Sequence, residues 1–311
     1  MYLEAVSLGY AVPRRDFVAR VHSVFRTSVN LQLEGTGALF TLSTSNQADL
    51  PQGIRLETPE RFIFDNLRPG QHVYCRDRIL SFQTAPLQVD LSKARRWRCN
   101  LAALNINLTD PATALAWGCV WQELNNRQIH AKAEIVAGEL FQSNEETKVI
   151  AARKASQAVH RLIQATRHYD LDAIPAAGEL IGLGTGLTPS GDDLLVGYLA
   201  GLWCTLRKKI DRRMFVSRLG RAVVDLSRGT NDISHTYLFH AARGQVASYL
   251  VALAQAVSQG EDPKHLLNVA EAAMQIGHTS GMDATTGLLL GMTAWTYPDT
   301  PDTLLKNYGT L

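Results

Sequence analysis

The most informative segment of the chain is a glycine-rich stretch that ends in two adjacent carboxylates. Residues 182–193 read GLGTGLTPSGDD, and a helix is predicted to begin near Ser190. Glycines let a ligand approach backbone N–H groups, and the unpaired N–H groups at a helix N-terminus favour an anion. The segment therefore predicts an anion-binding loop at the start of a helix. The residues expected to line this loop are Gly184, Thr185, Gly186, Thr188, Ser190 and Gly191.

The adjacent carboxylates of Asp192 and Asp193 restrict the ligand that this loop can hold. They would repel a phosphate unless a cation lies between them or the ligand also carries N–H donors. Magnesium is the one cofactor that the pair suggests, without requiring it, and both aspartates are candidate ligands for it. A plainer interpretation stays open, because Ser190 with Asp193 also fits a capping box that needs no ligand.

The motif returns ninety positions later in the chain. SGMD at 280–283, followed by glycine at 287 and 291, matches SGDD at 190–193, followed by glycine at 197 and 201. A true repeat predicts two helix N-termini that face each other across one site. His278, Ser280 and Asp283 would then enter the site from the second copy. The alternative is chance similarity, because glycines at four-residue spacing can simply mark close helix packing.

A third polar segment, RGTNDISHT at 228–236, is rich in side chains that bind carboxylates, phosphates or amides. Arg228 can form a two-pronged contact with a carboxylate or phosphate, and Asn231 and His235 offer further polar groups. The alternative is a loop in which Asn231 or Asp232 caps a helix and His235 is an ordinary interior histidine.

The chain has two parts that differ in the spacing of their apolar residues, and these parts must position the three polar segments. The first ~95 residues contain short runs rich in β-branched and aromatic residues, and EGTG at 34–37 is typical of a hairpin turn. Such spacing predicts a small antiparallel sheet or barrel. The predicted strands are 17–25, 28–33, 38–43, 62–64, 73–75 and 79–82.

Helical patterns dominate from Thr109 onward, where Asp110 and Pro111 are typical of a helix start. A capping box at 143–146 predicts a long amphipathic helix that runs toward His168. The further predicted helices are 190–207, 211–227, 233–258 with a break near Gly244, 262–276 and 280–296. The expected fold class is α+β, with a β-rich domain at 1–99 followed by a larger all-α domain at 100–311 that carries the TPSGDD motif.

Composition narrows the class of protein. Lys and Arg total 31 against 29 for Asp and Glu, which gives no electrostatic case for a nucleic-acid partner. The longest uncharged runs are too short and too rich in glycine for a membrane span, and no signal peptide is expected. The four cysteines lack the spacing of a zinc or redox motif. A cytoplasmic protein whose partner is a small molecule or another protein is the expectation.

Residues 182–197, GLGTGLTPSGDDLLVG, resemble the central motif of the AllH-like family of oxamate carbamoyltransferase subunits. That motif is close to G-x-G-x-G-L-T-P-S-G-D-D-x-x-x-G. Two more family-like stretches follow in the expected order, TNDISHTYLFHAARGQVASYL at 230–250 and GHTSGMDATTGLLLG at 277–291. The resemblance covers about residues 180–295.

The resemblance implies a subunit of an assembly that acts late in allantoin breakdown, a branch of purine degradation. The assembly transfers a carbamoyl group from oxalurate to phosphate, giving oxamate and carbamoyl phosphate. Such a site needs donors for the developing oxyanion and an acid for the departing nitrogen. Under this activity the catalytic candidates are Asp192, Asp193, His235 and Asp283, and the candidates for binding oxalurate and phosphate are Gly184, Thr185, Gly186, Thr188, Ser190, Gly191, Arg228, Asn231, His278 and Ser280.

Three alternatives to a catalytic carbamoyltransferase subunit remain. The chain can be a non-catalytic subunit that binds a small anion or supports assembly while partner chains carry the chemistry. It can act on another ureido substrate, because a fold does not fix a substrate. It can also be a purely structural helical module whose glycines only allow close packing.

Overall fold

The chain forms two compact units, Met1–Cys99 and Asn100–Leu311. The computed structural model describes residues 1–141, 150–260 and 262–296, so the capping box predicted at 143–146 lies outside the described residues. Within those ranges, no helix has both the length and the apolar character that crossing a bilayer requires.

The first unit is a closed β-barrel. Around the barrel the order is β5-β4-β3-β2-β6-β7-β8-β1, and β1 pairs with β5 to close it, while β9 adds to β1 in parallel. Most neighbouring pairs are antiparallel, and the β-rich N-terminal part that the sequence predicts is confirmed. The strands are β1 (Tyr2–Gly9), β2 (Phe17–Val24), β3 (Ser28–Leu33), β4 (Leu39–Ser43), β5 (Gly53–Leu56), β6 (His72–Arg76), β7 (Ile79–Phe82), β8 (Gln88–Asp90) and β9 (Arg95–Trp97).

The barrel differs from the sequence prediction at residues 62–64 and in four further strands. Residues 62–64 form no strand, although Phe64 is buried in the barrel core and its ring packs edge to face on Phe62 at 5.1 Å. Strands β5, β8 and β9 have no counterpart among the predicted strands, and neither does β1. Its polar Ser7 is buried and donates to Asp49, which also accepts from Arg55 and Arg95, so an internal polar group interrupts the apolar pattern.

The second unit is helical in the part that the structure describes, which confirms the α+β class. The predicted helix 233–258 is two helices, and Gly244 between them has φ +69°, a conformation that ends a regular helix. The helices are α1 (Pro111–Ala131), α2 (Ile150–Arg167), α3 (Ala173–Gly178), α4 (Ser190–Cys204), α5 (Ile210–Leu226), α6 (Asp232–Ala241), α7 (Ser248–Gln259), α8 (Pro263–Met274) and α9 (Ser280–Thr293).

Helices α4 and α9 pack in parallel at the centre of this unit with their backbones in direct contact. A Cβ on Gly197 would lie 1.9 Å from the Ala284 carbonyl oxygen, and a Cβ on Gly287 would lie 1.9 Å from that of Leu194. Each residue of α4 corresponds to the residue of α9 that lies ninety positions later. The contact of Gly197 with Ala284 and that of Gly287 with Leu194 are equivalent under this correspondence. The packing therefore follows the repeat seen in the sequence, and the two helices are related by a local two-fold pseudosymmetry.

We expect Gly197→Ala to destabilise the protein although alanine favours helix formation. The added methyl group would overlap the Ala284 carbonyl and separate the two helices. The free energy of unfolding should fall by about 3 kcal/mol, the upper part of the range for over-packing. Urea denaturation followed by circular dichroism measures the change.

The matched control is Gly229→Ala, since a Cβ there meets no atom within 4 Å. This variant should stay within about 0.5 kcal/mol of the wild type, as surface substitutions usually do. Equal effects of the two substitutions would contradict the close packing of α4 on α9.

Candidate functional site

The glycine-rich loop folds back over the start of α4. Gly182, Gly184 and Gly186 have φ values of +72°, +107° and +103°, which favour glycine. A Cβ on Gly184 would lie 2.9 Å from the backbone nitrogen of Ser190, so the loop needs its glycine there for space as well. The Gly191 N–H donates to the Leu183 carbonyl at 2.8 Å and is therefore taken up within the loop.

The capping-box interpretation of Ser190 and Asp193 is wrong. Pro189 occupies the N-cap position of α4, and no side chain caps this helix start. Ser190 is instead the first helical residue, and its hydroxyl lies near Asp283 of the other helix. By contrast, the start predicted at Asp110 is confirmed, since its carboxylate accepts from the Thr113 N–H at 2.9 Å.

The N-termini of α4 and α9 lie side by side, and each brings a hydroxyl to the carboxyl group of the other. The Ser280 hydroxyl lies near enough to Asp193 to lower its pKa, and the Ser190 hydroxyl has the same effect on Asp283, in keeping with the two-fold pseudosymmetry. Thr188 and Ser280 share a hydrogen bond of 2.8 Å between their hydroxyl oxygens. The structure thus brings the first and second polar segments together.

Asp193 and Asp283 are buried, with exposed fractions of 8% and 1%. Burial, together with the charges of Asp283 and Asp192, raises the pKa of Asp193 to about 8 against the lowering effect of the Thr188 and Ser280 hydroxyls. Burial likewise raises the pKa of Asp283 to about 7 against the lowering effect of Ser190 and Thr279.

The hydrogen-bonding capacity of this carboxyl pair is largely unused. Within the described part of the chain, no donor reaches Asp193 Oδ2 or either oxygen of Asp283 in hydrogen-bonding geometry. Near neutral pH the pair therefore holds at least one proton, as interacting buried carboxyls do. A neutral carboxylic acid does not repel an anion and can donate a hydrogen bond to it.

Asp192 has a different role from Asp193. Its Oδ1 accepts from the Gly182 N–H at 2.8 Å, and its Oδ2 accepts from the Thr230 hydroxyl at 2.7 Å. Both oxygens are thus engaged by the protein, and Asp192 ties the glycine-rich loop to the segment at 228–236. Asn231 adds a second tie, because its side-chain N–H donates to the Leu187 carbonyl at 2.9 Å.

Magnesium binding by the Asp192–Asp193 pair stays a prediction, and in this arrangement the ion would have to displace hydrogen bonds and a proton. Asp192 spends both oxygens on protein donors, and Asp193 is largely protonated near neutral pH. Across residues 1–141, 150–260 and 262–296, no three His, Cys, Asp or Glu side chains form a group that could hold a metal ion.

The remaining candidates of the third segment lie around this centre without a direct bond to the aspartates. His235 Nδ1 lies 2.8 Å from the Ser227 hydroxyl, which itself donates to the Val224 carbonyl. His235 must therefore donate through Nδ1, which leaves Nε2 as the acceptor of the neutral ring. Asn231 accepts from the Ile233 and Ser234 N–H groups and caps α6, as one of the two interpretations predicted.

Arg228 and His278 stand apart from the carboxyl pair. Arg228 has a side chain that is 78% exposed, and its charged neighbour is Asp225 at 3.9 Å. His278 is exposed at the loop before α9. Among the described residues, no hydrogen bond joins either of them to Asp193 or Asp283.

Glu134, which the sequence did not single out, contacts the glycine-rich loop. Its carboxylate accepts from the Thr185 N–H at 3.2 Å and from the Thr185 hydroxyl, and its charge raises the pKa of Asp283. Buried Gln128 secures the segment next to Glu134, because it donates to Thr286 of α9 at 3.0 Å and accepts from the Ala137 N–H at 2.8 Å. A carboxylate of the chain thus binds the loop where the sequence predicts an external anion.

Two tyrosines also face this centre. Burial and the charge of Asp193 raise the pKa of Tyr237 on α6 to about 12, and the same causes raise the pKa of Tyr249 on α7. Both residues are partly exposed and lie close enough to Asp193 to feel its charge. Nothing in their spacing marks them in the sequence.

Two family models match the chain. The model described as oxamate carbamoyltransferase subunit AllH matches residues 180–292, and the model of the AllH family N-terminal domain matches residues 5–96. The first match spans α4 to α9 with all three polar segments, and the second spans the barrel. The chain therefore belongs to the AllH family and is a carbamoyltransferase-related subunit. No solved structure gives a significant match.

We expect the stability of the protein to fall as pH rises from about 4 to about 8. The folded-state pKa values of Asp193 and Asp283 lie above those of unfolded aspartates, so the folded protein holds more protons in this interval. Each such proton contributes a slope of up to about 1.4 kcal/mol per pH unit. In Asp193→Asn/Asp283→Asn this part of the decline should vanish, measured as Tm between pH 5 and pH 8.

The control is Asp172→Asn, which removes an exposed carboxylate of the same unit and should leave the wild-type decline in place. A double variant whose Tm falls with pH as steeply as that of the wild type would show that the buried pair is already ionised at pH 5.

Proposed function

We propose that the chain is a carbamoyltransferase subunit that binds oxalurate and phosphate where α4 and α9 begin and takes part in their conversion to oxamate and carbamoyl phosphate. The observation that carries this proposal is the pair of buried carboxylic acids, Asp193 and Asp283, at two converging helix N-termini. Membership of the AllH family supports the reaction class.

The proposed site offers donors to negatively charged oxygens. Two parallel helices present the positive ends of their dipoles on one side, and the hydroxyls of Thr188, Ser190 and Ser280 lie there. Protonated Asp193 adds an acidic donor in place of a repelling charge. Phosphate and the carboxylate of a ureido acid are the ligands that such donors favour.

The proton balance of the transfer suits a carboxyl pair. Phosphate oxygen attacks the ureido carbonyl carbon, the C–N bond breaks, and the departing amide nitrogen takes a proton from Asp193. The resulting carboxylate then takes up the proton of hydrogen phosphate, which restores the acid. Asp283 keeps the pKa of Asp193 high because its charge opposes ionisation of the neighbour.

Asp192 and Asn231 act in this proposal by holding the loops, since their polar atoms are engaged with Gly182, Thr230 and Leu187. His235 is the candidate to bind the substrate carboxylate or the leaving nitrogen through Nε2. Arg228 and His278 lie at the exposed edge of the site, where they contribute only long-range positive charge or hydrogen-bond donors. Participation in allantoin degradation and a cytoplasmic location follow from the family resemblance as part of the proposal.

One observation favours a second candidate function, that of a ligand-binding subunit whose chemistry lies on a partner chain. Asp283 is 1% exposed and Asp193 is 8% exposed, so only an edge of the pair can touch a substrate. In that case partner subunits supply the reacting groups, and this chain holds and orients the anions.

We expect Asp193→Asn to lower carbamoyl phosphate formation by the assembled enzyme at least about 100-fold, the usual effect of losing a general acid. The amide keeps the shape of the carboxyl group, so oxalurate and phosphate should still bind, as titration calorimetry would show. The assay measures carbamoyl phosphate from oxalurate and phosphate, with and without partner subunits, and Asp172→Asn is the control.

Three results of that assay separate the candidates. Turnover by the isolated wild-type chain excludes the second candidate. Normal turnover in Asp193→Asn with intact binding supports the second candidate and removes Asp193 as the acid. A wild-type chain that binds neither oxalurate nor phosphate contradicts both.

We also expect Glu134→Gln to bind phosphate about tenfold more tightly than the wild type. The carboxylate of Glu134 occupies the Thr185 N–H and hydroxyl and repels an incoming anion, whereas the amide carries no charge. Calorimetric titration with phosphate at low ionic strength measures the effect. Glu139→Gln on the same connecting segment is the matched control, and weaker binding by Glu134→Gln would show that Glu134 supports the site instead of competing with the ligand.

A further inference from the structure

An open groove with an apolar floor runs along the outer side of α5 in the helical unit. Its volume is about 1050 Å³, and it lies between α5 and the segment at 169–171 that follows α2. Its lining includes Tyr169, Leu171, Ile210, Met214, Arg218 and Arg221.

Large apolar side chains are concentrated in this groove. Ile210 and Met214 are each 64% exposed, and Tyr169 and Leu171 are 42% and 39% exposed. Ile210 and Met214 are four residues apart and so lie on one face of α5. Exposed apolar clusters of this kind mark interaction sites on soluble proteins.

The groove has a firm base. The ring of Tyr169 packs edge to face on Phe215 at 6.0 Å and stacks on Trp295 at 5.3 Å. Buried Arg212 lies over the Trp295 ring at 5.1 Å and donates to the Thr205 carbonyl. A surface that is held in place before binding loses little conformational entropy when a partner docks.

The rim of the groove is positively charged. Arg213, Arg218 and Arg221 line it, and none of the three forms an ion pair with another residue in the described part of the chain. Asp170 and Asp211 are the carboxylates of the same groove, so three cations stand against two anions. Charge complementarity therefore calls for carboxylates on the partner.

We propose that this groove is a docking surface for another chain of the carbamoyltransferase assembly, and that this chain presents apolar side chains flanked by carboxylates. The open apolar floor suits a protein segment more than a free anion, which would need enclosed polar donors. A second copy of this chain is disfavoured, because a two-fold contact would bring the two sets of arginines together. The inference rests on the assembly named in the proposed function and is independent of its chemistry.

A site-specific photocrosslinker tests the occupant of the groove. Benzoylphenylalanine replaces Met214 in the full chain, and the assembled enzyme is irradiated and analysed by mass spectrometry. The expected product joins position 214 to a different subunit at a segment that combines Asp or Glu with apolar residues. The matched control is the same crosslinker at Ile129, which is 61% exposed on α1 and lies outside the groove.

A crosslink from position 214 to a second copy of this chain, or to residues 297–311 of the same chain, would overturn the proposal. Equal crosslinking from positions 129 and 214 would also overturn it, because it would show no preference for the groove.

Substitutions then test the two parts of the surface. Met214→Asp and Arg218→Glu should each weaken association with the partner at least about tenfold, as for residues central to an interface, while Arg218→Lys stays within about twofold. Ile129→Asp is the control for a surface charge change, and association is measured by analytical ultracentrifugation at two salt concentrations.

Ligand binding by the isolated chain separates this proposal from the proposed function. Met214→Asp should leave phosphate and oxalurate binding unchanged while assembly is lost. Loss of phosphate binding in Arg218→Glu with intact assembly would show that the groove holds a small anion and would overturn the docking proposal.

Discussion

The backbone contact between α4 and α9 determines the rest of the helical unit. Glycines at 197, 201, 287 and 291 remove the side chains that would keep the two helices apart, so each helix touches main-chain atoms of the other. At this distance the two N-termini cannot avoid each other, and Asp193 and Asp283 in their first turns become neighbours. Leucines at the same positions would leave two separate helix starts and no shared carboxyl pair. The arrangement of the helical interior therefore depends on this close contact between α4 and α9.

The consequence of that proximity is electrostatic. Two buried carboxyls that lack full hydrogen bonding destabilise a folded protein, and natural proteins rarely keep such groups without a reason. The helix dipoles and nearby hydroxyls favour ionisation, but burial outweighs them, helped by the charge of Asp283 at Asp193 and that of Glu134 at Asp283. The outcome is an acid that still carries its proton at neutral pH, next to donors suited to negatively charged oxygens.

The sequence predicts the helical unit better than its site. The α4 start and the α4/α9 repeat could be predicted because glycine spacing is a local signal with a direct geometric meaning. The capping box at Ser190 failed because Pro189 takes the N-cap position, which frees Ser190 to act on Asp283. Glu134 could not be found, since its contact with Thr185 joins positions 51 residues apart and an isolated glutamate carries no pattern. Strand β1 of the barrel was missed for the same reason. Its buried Ser7 interrupts the apolar pattern, and the partner of Ser7, Asp49, lies 42 residues away in the sequence.

The pseudosymmetry of α4 and α9 is incomplete, and the differences give the site a direction. Where the first helix has Asp192, which anchors Thr230, the second has Met282, which is buried in the core. Thr188 likewise corresponds to His278. A perfectly duplicated pocket would accept a lopsided molecule such as a ureido acid equally well in either orientation. Divergence of the two halves within a single polypeptide makes one orientation lower in energy than the other, an asymmetry that a homodimer with identical halves could not acquire by mutation of its gene.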